Sequence, residues 1–103
     1  MLLKHGLDGM ELRHLRYFVS VAEEASVSKA ALRVNISQPA LSRQIRDLET
    51  ELGVRLFDRV GRRIQLTSGG EDILRESRDV LARAASLVDR ARSLVGGMAG
   101  ILR

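Results

Sequence analysis

The chain has 103 residues, which is enough for one small domain and too few for most enzyme folds. Apolar residues make up 45% and charged residues 29%, a balance typical of globular domains rather than of disordered, fibrous or membrane proteins. The chain has no cysteine, which excludes a disulfide framework, a thiolate metal site and a cysteine nucleophile. This composition is compatible with the cytoplasm, where we expect the protein.

The positive charge is concentrated in the middle of the chain. Lysine and arginine number 17 against 13 acidic residues, and residues 29–63 alone hold eight basic and four acidic side chains. Such an excess favours a polyanionic partner. The candidates for phosphate or base contacts are Arg43, Arg46, Arg55, Arg59, Arg62 and Arg63. A merely solvated surface is the alternative interpretation of these arginines.

The N-terminal part of the chain predicts a short extension followed by a helix. Residues 1–9 contain two glycines and no sustained apolar run, so they predict a flexible extension rather than a signal peptide or a membrane span. Apolar residues then recur at three- and four-residue steps, which predicts a helix over 11–24. Its predicted core face consists of Leu12, Leu15, Phe18, Val19 and Ala22.

A second, short helix is predicted over 29–34. Ser28 is its expected N-cap, with Val27 and Leu32 as a hydrophobic staple. Asn35 tolerates the left-handed conformation that ends a helix, so a tight turn should follow.

A third helix is predicted over 38–52, between an N-cap at Ser37 and a stop at Gly53. One face of this helix is apolar and is formed by Leu41, Ile45, Leu48 and Leu52. The opposite face carries Pro39, Arg43, Arg46 and Thr50, with Ser42 at its flank. This is the geometry of a recognition helix, although amphipathic helices with outward arginines also occur in proteins that bind no DNA.

The period of the apolar residues changes after the third helix. Residues 54–59 and 63–66 predict two short strands around a turn at 60–62, in which Gly61 supplies a positive φ. A hairpin in this position is a wing. Arg62 and Arg63 at its tip suit a narrow minor groove, whereas the alternative is a charged hairpin that aids solubility.

The last predicted helix is long and covers about 70–95. Thr67 or Ser68 caps it, and Ser68 with Glu71 fits a capping box. Small and branched residues recur along it in heptad columns, which include Ile73, Ser77, Val80, Leu81, Ala84, Leu87, Val88, Ala91 and Leu94. A projecting helix cannot bury so wide a stripe alone, so we expect it to pack on the first helix and on a second subunit. An ordinary domain helix without a partner is the alternative.

The predicted fold is mainly α: a winged helix-turn-helix of three helices plus a two-stranded β-hairpin wing, followed by a long dimerising linker helix. The expected boundaries are 1–9 for the extension, 10–66 for the winged helix-turn-helix, 67–95 for the linker helix and 96–103 for a flexible hinge or end.

Three motifs carry a family resemblance. Residues 10–18 (MELRHLRYF), 37–45 (SQPALSRQI) and 48–57, which contain Leu48-Glu49 and then ELGVRLF, occur in this order. Together they resemble the N-terminal DNA-binding domain of LysR-type transcriptional regulators over roughly 10–95. The resemblance implies a sequence-specific regulator that binds double-stranded DNA as a homodimer, through antiparallel packing of the linker helices.

The resemblance also assigns roles to individual side chains. It implies that Gln38, Pro39, Ser42 and Arg43 contact bases or the nearby backbone in the major groove, and that Arg62 enters the minor groove. Ser37 would contact a phosphate as well as cap its helix, and Lys29 and Arg46 would be phosphate neighbours. Residues 25–27 depart from the family, since Ala25, Ser26 and Val27 replace its usual glycine and aromatic residue.

Other functions are predicted less well. The two-lobed domain with which this family senses a small molecule and forms tetramers has no counterpart in these residues, so no effector site is expected in this chain. A dimerising helical interaction module without DNA binding is the alternative function. His5 and His14 have no nucleophile or ligand cluster beside them in sequence, so we expect no enzyme activity, metal or cofactor.

Overall fold

In the computed structural model of the chain, helices precede and follow one β-hairpin. The structure describes the backbone of residues 9–102 and the side chains of residues 9–96. Most of the predicted N-terminal extension therefore lies outside the described residues. The element order is α1 (Leu12–Glu24), α2 (Val27–Val34), α3 (Gln38–Leu52), β1 (Phe57–Val60), β2 (Arg63–Leu66) and α4 (Ser68–Leu102). This order confirms the predicted winged helix-turn-helix with a long final helix.

The core lies between α1, α2 and α3 and is closed by Leu56 from the segment before the wing. Its buried residues are Leu15, Phe18, Val21, Ala30, Ala31, Leu41, Ile45, Leu48 and Leu56. The predicted core face of α1 was partly wrong, since Leu12 is 40% exposed and Val21 is fully buried. Three helices pack against α1, so burial spreads around its second half and leaves its first turn outside.

The corner between α1 and α2 differs from the prediction. Ala25 ends α1 in the left-handed conformation with φ 52°, and the Ser26 hydroxyl accepts a hydrogen bond from the Lys29 N–H at 3.1 Å. Because Ala25 reverses the chain in one residue, α2 begins at Val27, two residues before the predicted start. Ser26 rather than Ser28 is the cap. Leu32 is 83% exposed, so the predicted staple does not form.

The predicted bounds of α3 are confirmed. The Ser37 hydroxyl accepts a hydrogen bond from the Ala40 N–H at 3.2 Å, and Gly53, with φ 70°, ends the helix. Asn35 ends α2 with φ 61°, as its sequence position indicated.

The wing is shorter than predicted. β1 begins at Phe57 rather than at 54, and the turn contains only Gly61 and Arg62. The strands pair antiparallel, with Phe57 opposite Leu66 and Arg59 opposite Ile64. The segment 54–56 joins no strand because the Leu56 N–H donates to the Glu49 carboxylate instead.

Helix α4 begins and ends outside its predicted bounds. The Thr67 hydroxyl accepts a hydrogen bond from the Gly70 N–H at 2.8 Å, so Thr67 is the cap. Ser68 is already helical, which excludes the predicted Ser68–Glu71 capping box. The helix continues to Leu102 through the predicted hinge at 96–103. Each added residue gains a backbone hydrogen bond, which offsets the roughly 1 kcal/mol helix penalty of a glycine.

Candidate nucleic-acid interface

Helix α3 divides its side chains between the core and solvent. Leu41, Ile45 and Leu48 are 0%, 8% and 3% exposed, and they fix the helix to the domain. The opposite face is exposed and consists of Pro39, Arg43, Arg46 and Thr50, as the sequence predicted, with Ser42 half-buried beside it. A surface of hydrogen-bonding side chains on a rigid helix can enter a major groove and meet base edges.

The N-terminus of α3 is the most exposed end of this helix. Gln38 and Pro39 are both exposed there, and Pro39 is tolerated because its missing N–H has no partner in a first helical turn. The Ser37 hydroxyl accepts its capping hydrogen bond, which leaves its own O–H free to donate outward. The predicted cap and the predicted phosphate contact of Ser37 are therefore compatible.

Arginines near α3 divide into paired and unpaired groups. Arg55 donates to the Phe57 carbonyl at 3.2 Å and pairs with Asp58 at 3.1 Å. By contrast, the side chains of Lys29, Arg43, Arg46, Arg62 and Arg63 are exposed and form no hydrogen bond or ion pair with any other described residue. Unpaired guanidinium groups retain every donor for an incoming phosphate or base.

The predicted contact residues lie on two structural units. Lys29 stands in the first turn of α2, while Ser37, Gln38, Pro39, Ser42, Arg43 and Arg46 lie on α3 or at its cap. Arg62 and Arg63 stand at the wing tip, where Gly61 turns the chain with φ 63°. Within residues 9–96, no hydrogen bond or ion pair joins the wing-tip arginines to the other predicted residues.

The wing is attached to the domain by contacts that the sequence did not predict. The Phe57 ring meets Phe18 edge-on, with the ring centroids 5.5 Å apart. The Glu49 carboxylate accepts hydrogen bonds from the Leu56 N–H at 2.8 Å and the Phe57 N–H at 3.4 Å. The sequence did not predict this role of Glu49, because a glutamate one turn before a helix stop gives no local signal of it.

An ion-pair cluster joins three helices, α1, α2 and α4. Arg33 pairs with Glu23 at 2.8 Å and with Glu24 at 3.3 Å, and Arg78 of α4 pairs with Glu23 at 2.9 Å. Hydrogen bonds from Arg33 and then Arg78 hold the pKa of the Glu23 carboxyl below its ordinary value of 4.5. These arginines are neutralised within the domain, so they are poor candidates for phosphate contacts.

The predicted dimerisation residues fall into two sets along α4. Ser77 is 3% exposed, and Ile73 and Leu81 pack against the core of the same chain. The second set is open to solvent: Val80 is 42%, Val88 47%, Leu94 56% and Leu87 70% exposed. Ala84 is half-buried and Ala91 is exposed.

Other kinds of site have little support in the described part of the chain. His14 accepts a hydrogen bond from the Glu11 N–H through Nδ1 at 3.0 Å, so this histidine caps α1. No group of three or more acidic, histidine or cysteine side chains that could hold a metal occurs among the described residues. None of the helices described combines the length and apolarity needed to cross a membrane.

Comparison with known proteins gives matches over most of the chain. Residues 12–71 match the profile described as "Bacterial regulatory helix-turn-helix protein, lysR family". The uncharacterized HTH-type transcriptional regulator YnfL of Escherichia coli is 50% identical over 91% of this chain and 32% of its own length. The HTH-type transcriptional regulator AlsR of Bacillus subtilis is 45% identical over 90% of this chain and 31% of its own. The chain thus spans about a third of the length of these curated relatives.

Solved structures match the fold. The BenM DNA-binding domain in complex with benA site 1 DNA has a TM-score of 0.81 and 43% identity, and the match covers 85% of this chain and 99% of that one. The CbnR DNA-binding domain in complex with DNA has a TM-score of 0.79 and 42% identity, with 84% and 99% covered.

Proposed function

Because the chain belongs to the lysR family of bacterial regulatory helix-turn-helix proteins, we propose that it binds a specific sequence in double-stranded DNA and regulates transcription. α3 is the recognition helix and enters the major groove. The observation that carries this proposal is the exposed Arg43, which has no partner among the described residues and lies opposite the face that Leu41 and Leu48 anchor. DNA complexes of two similar domains support it.

Each predicted contact residue has a place in this proposal. Gln38, Ser42 and Arg43 read base edges, and Pro39 lies against a base or the adjacent backbone. Lys29, Ser37 and Arg46 hold phosphates and so fix the position of α3 along the duplex. Arg62 and Arg63 of the wing tip enter the minor groove beside the reading helix. The side chains of Lys29 and of the four arginines are exposed and have no hydrogen-bond or ion-pair partner among residues 9–96, which supports these roles.

A homodimer completes the proposed binding unit. The exposed apolar side chains on α4 are Val80, Leu87, Val88, Leu94 and Val95. Their exposure would leave apolar area in water in a monomer, and a second copy of the same helix covers it. A two-fold dimer presents two recognition helices, so the operator is expected to be an interrupted palindrome.

Selection from a random duplex pool tests the DNA-binding proposal. The full chain should enrich two related half-sites in inverted orientation, and its affinity for the enriched duplex should fall steeply as salt increases. Failure to enrich any sequence, while the chain remains a folded dimer, would favour the alternative of a helical interaction module without DNA binding.

Sedimentation equilibrium tests the dimer. Leu87→Asp puts a charge into the proposed interface and should raise the dimer dissociation constant at least about tenfold. Leu32→Asp is the matched control, because Leu32 is a leucine on α2 that is 83% exposed, against 70% for Leu87. A wild-type chain that is monomeric at every concentration would contradict the proposed interface.

The proposal concerns the DNA-binding part of a regulator. Similar proteins such as YnfL and AlsR carry the names of transcriptional regulators. We assign the chain no reaction, no cofactor and no small-molecule effector site, and we expect it to act in the cytoplasm on double-stranded DNA.

A further inference from the structure

A crevice of about 300 Å³ separates α3 from the wing. Its floor is apolar and includes Ile45, Phe57 and Ile64. Its polar lining includes Ser42 and Arg46 from α3 and Arg59 from β1. Both units of the proposed DNA interface, α3 and the wing, therefore contribute side chains to this crevice.

Arg59 occupies an unusual position on the hairpin. Side chains of a strand alternate between its two faces, so Arg59 lies on the same face as Phe57, and Ile64 opposes it across the pair. Phe57 and Ile64 both pack against the core, so this face is turned toward the domain. Asp58, the neighbour of Arg59 in β1, lies on the other face of the hairpin.

The other charges at the crevice are already engaged. Arg55 and Asp58 pair with each other at 3.1 Å, and the Glu49 carboxylate accepts two backbone N–H groups. Arg46 and Arg59 form no hydrogen bond or ion pair with other residues in the described part of the chain. Two unpaired guanidinium groups on one crevice are suited to a single shared anion.

We propose that Arg46 and Arg59 together hold one phosphodiester of the DNA backbone, at the mouth of this crevice. The inference rests on the proposed DNA binding and adds Arg59 to the contact residues. Since the two arginines come from α3 and from the wing, one shared phosphate fixes the wing relative to the recognition helix. Arg59 is thus a positioning residue for the wing arginine Arg62.

The test is the salt dependence of binding by the full chain carrying Arg59→Gln. Affinity should fall about three- to tenfold on both the selected duplex and a scrambled one, and the slope of log affinity against log salt should lessen by about 1. Arg16→Gln is the matched control, because Arg16 is an exposed arginine on α1, outside the crevice. It should change neither the affinity nor the slope appreciably.

A neutral methylphosphonate placed at successive positions of the selected duplex identifies the phosphate. At the contacted position it should weaken wild-type binding most, weaken Arg59→Gln and Arg46→Gln less, and leave the variant with both substitutions without further loss. An unchanged salt slope, or a loss confined to one base sequence, would overturn the proposal. Arg59→Lys, which keeps the charge, should keep the slope even if Arg59→Gln lowers the thermal stability. Failure of the wild type to bind either duplex would instead refute the proposed function.

Discussion

The Glu49 carboxylate on α3 accepts a hydrogen bond from the backbone N–H of Leu56 at 2.8 Å. The Leu56 side chain is fully buried, and its carbonyl accepts a hydrogen bond from the Thr67 N–H at 3.0 Å. One residue thus links the end of the recognition helix, the start of the wing and the start of α4. The position of the wing beside α3 depends on this link.

Removal of the Glu49 carboxylate should destabilise the domain. Glu49→Ala leaves the partly buried Leu56 N–H without its acceptor, which costs about 1–3 kcal/mol. Urea unfolding at one fixed protein concentration measures this loss. Asp47→Ala is the control, because Asp47 is an exposed acidic residue on the same helix, and it should change the stability by less than about 0.5 kcal/mol. Equal stabilities of the two variants would show that the Glu49 contact contributes nothing.

A side chain at position 70 should displace α4. A Cβ added to Gly70 would overlap the Leu56 carbonyl oxygen, which is backbone and cannot turn away. Gly70→Ala should therefore cost more than about 2 kcal/mol in the free energy of unfolding. Gly96→Ala is the matched control on the same helix, because nothing lies within 4 Å of its added Cβ. Gly96→Ala should leave the free energy of unfolding unchanged or raise it by up to about 1 kcal/mol. A similar loss of stability in both variants would contradict the close approach of Gly70 to the Leu56 carbonyl.

The corner at Ala25 holds a residue in an unfavourable conformation. At φ 52° the Cβ of Ala25 destabilises the folded chain by about 1–2 kcal/mol, a cost that glycine avoids. The greater conformational freedom of glycine in the unfolded chain offsets part of the stability gained by the substitution. Ala25→Gly should raise the stability by about 0.5–1 kcal/mol. Ala82→Gly, at an exposed position inside α4, should lower it by about 1 kcal/mol. Thermal unfolding of both variants measures these two stability changes, which should have opposite signs. A loss of stability in Ala25→Gly would contradict the backbone strain at position 25.

Acid should weaken the ion-pair cluster that joins α1, α2 and α4. The hydrogen bonds from Arg33 and Arg78 lower the pKa of Glu23 in the folded chain. The contribution of Glu23 to the folding stability is therefore fully present above pH 4.5 and is lost as the pH falls through its folded pKa. The groups are partly exposed, so we expect about 1 kcal/mol or less. The stability difference between wild type and Glu23→Gln should shrink as the pH falls from 6 to about 3. A difference that is constant over this range would exclude the linkage.

The sequence predicted the bounds of a helix correctly where residues at both of its ends carry local signals. Ser37 and Gly53 bound α3, an apolar stripe lies between them, and the predicted helix is the observed one. The start of α2 was ambiguous because Ser26 and Ser28 are both good caps. Alanine rarely adopts the left-handed conformation, so Ala25 carries no local signal that α1 ends there.

Contacts between distant parts of the chain had no local signal. Residues 54–56 have the composition of a strand, yet Leu56 donates its N–H to Glu49, seven residues earlier. The Glu23–Arg78 pair joins residues 55 positions apart. Arg59 was one of six candidate arginines, and only the register of the hairpin shows that it faces the crevice with Ile64.

The specificity ratio of Arg43→Ala tests the central claim most directly. The affinities of wild type and variant are measured by fluorescence anisotropy on the selected duplex and on a scrambled duplex, at the same salt concentration. If Arg43 reads a base, the selected duplex should lose about 1–3 kcal/mol of binding free energy beyond the loss on the scrambled one, and the ratio of the two affinities should fall at least about fivefold. An equal loss on both duplexes, or no loss on either, would contradict the assignment of α3 as the recognition helix.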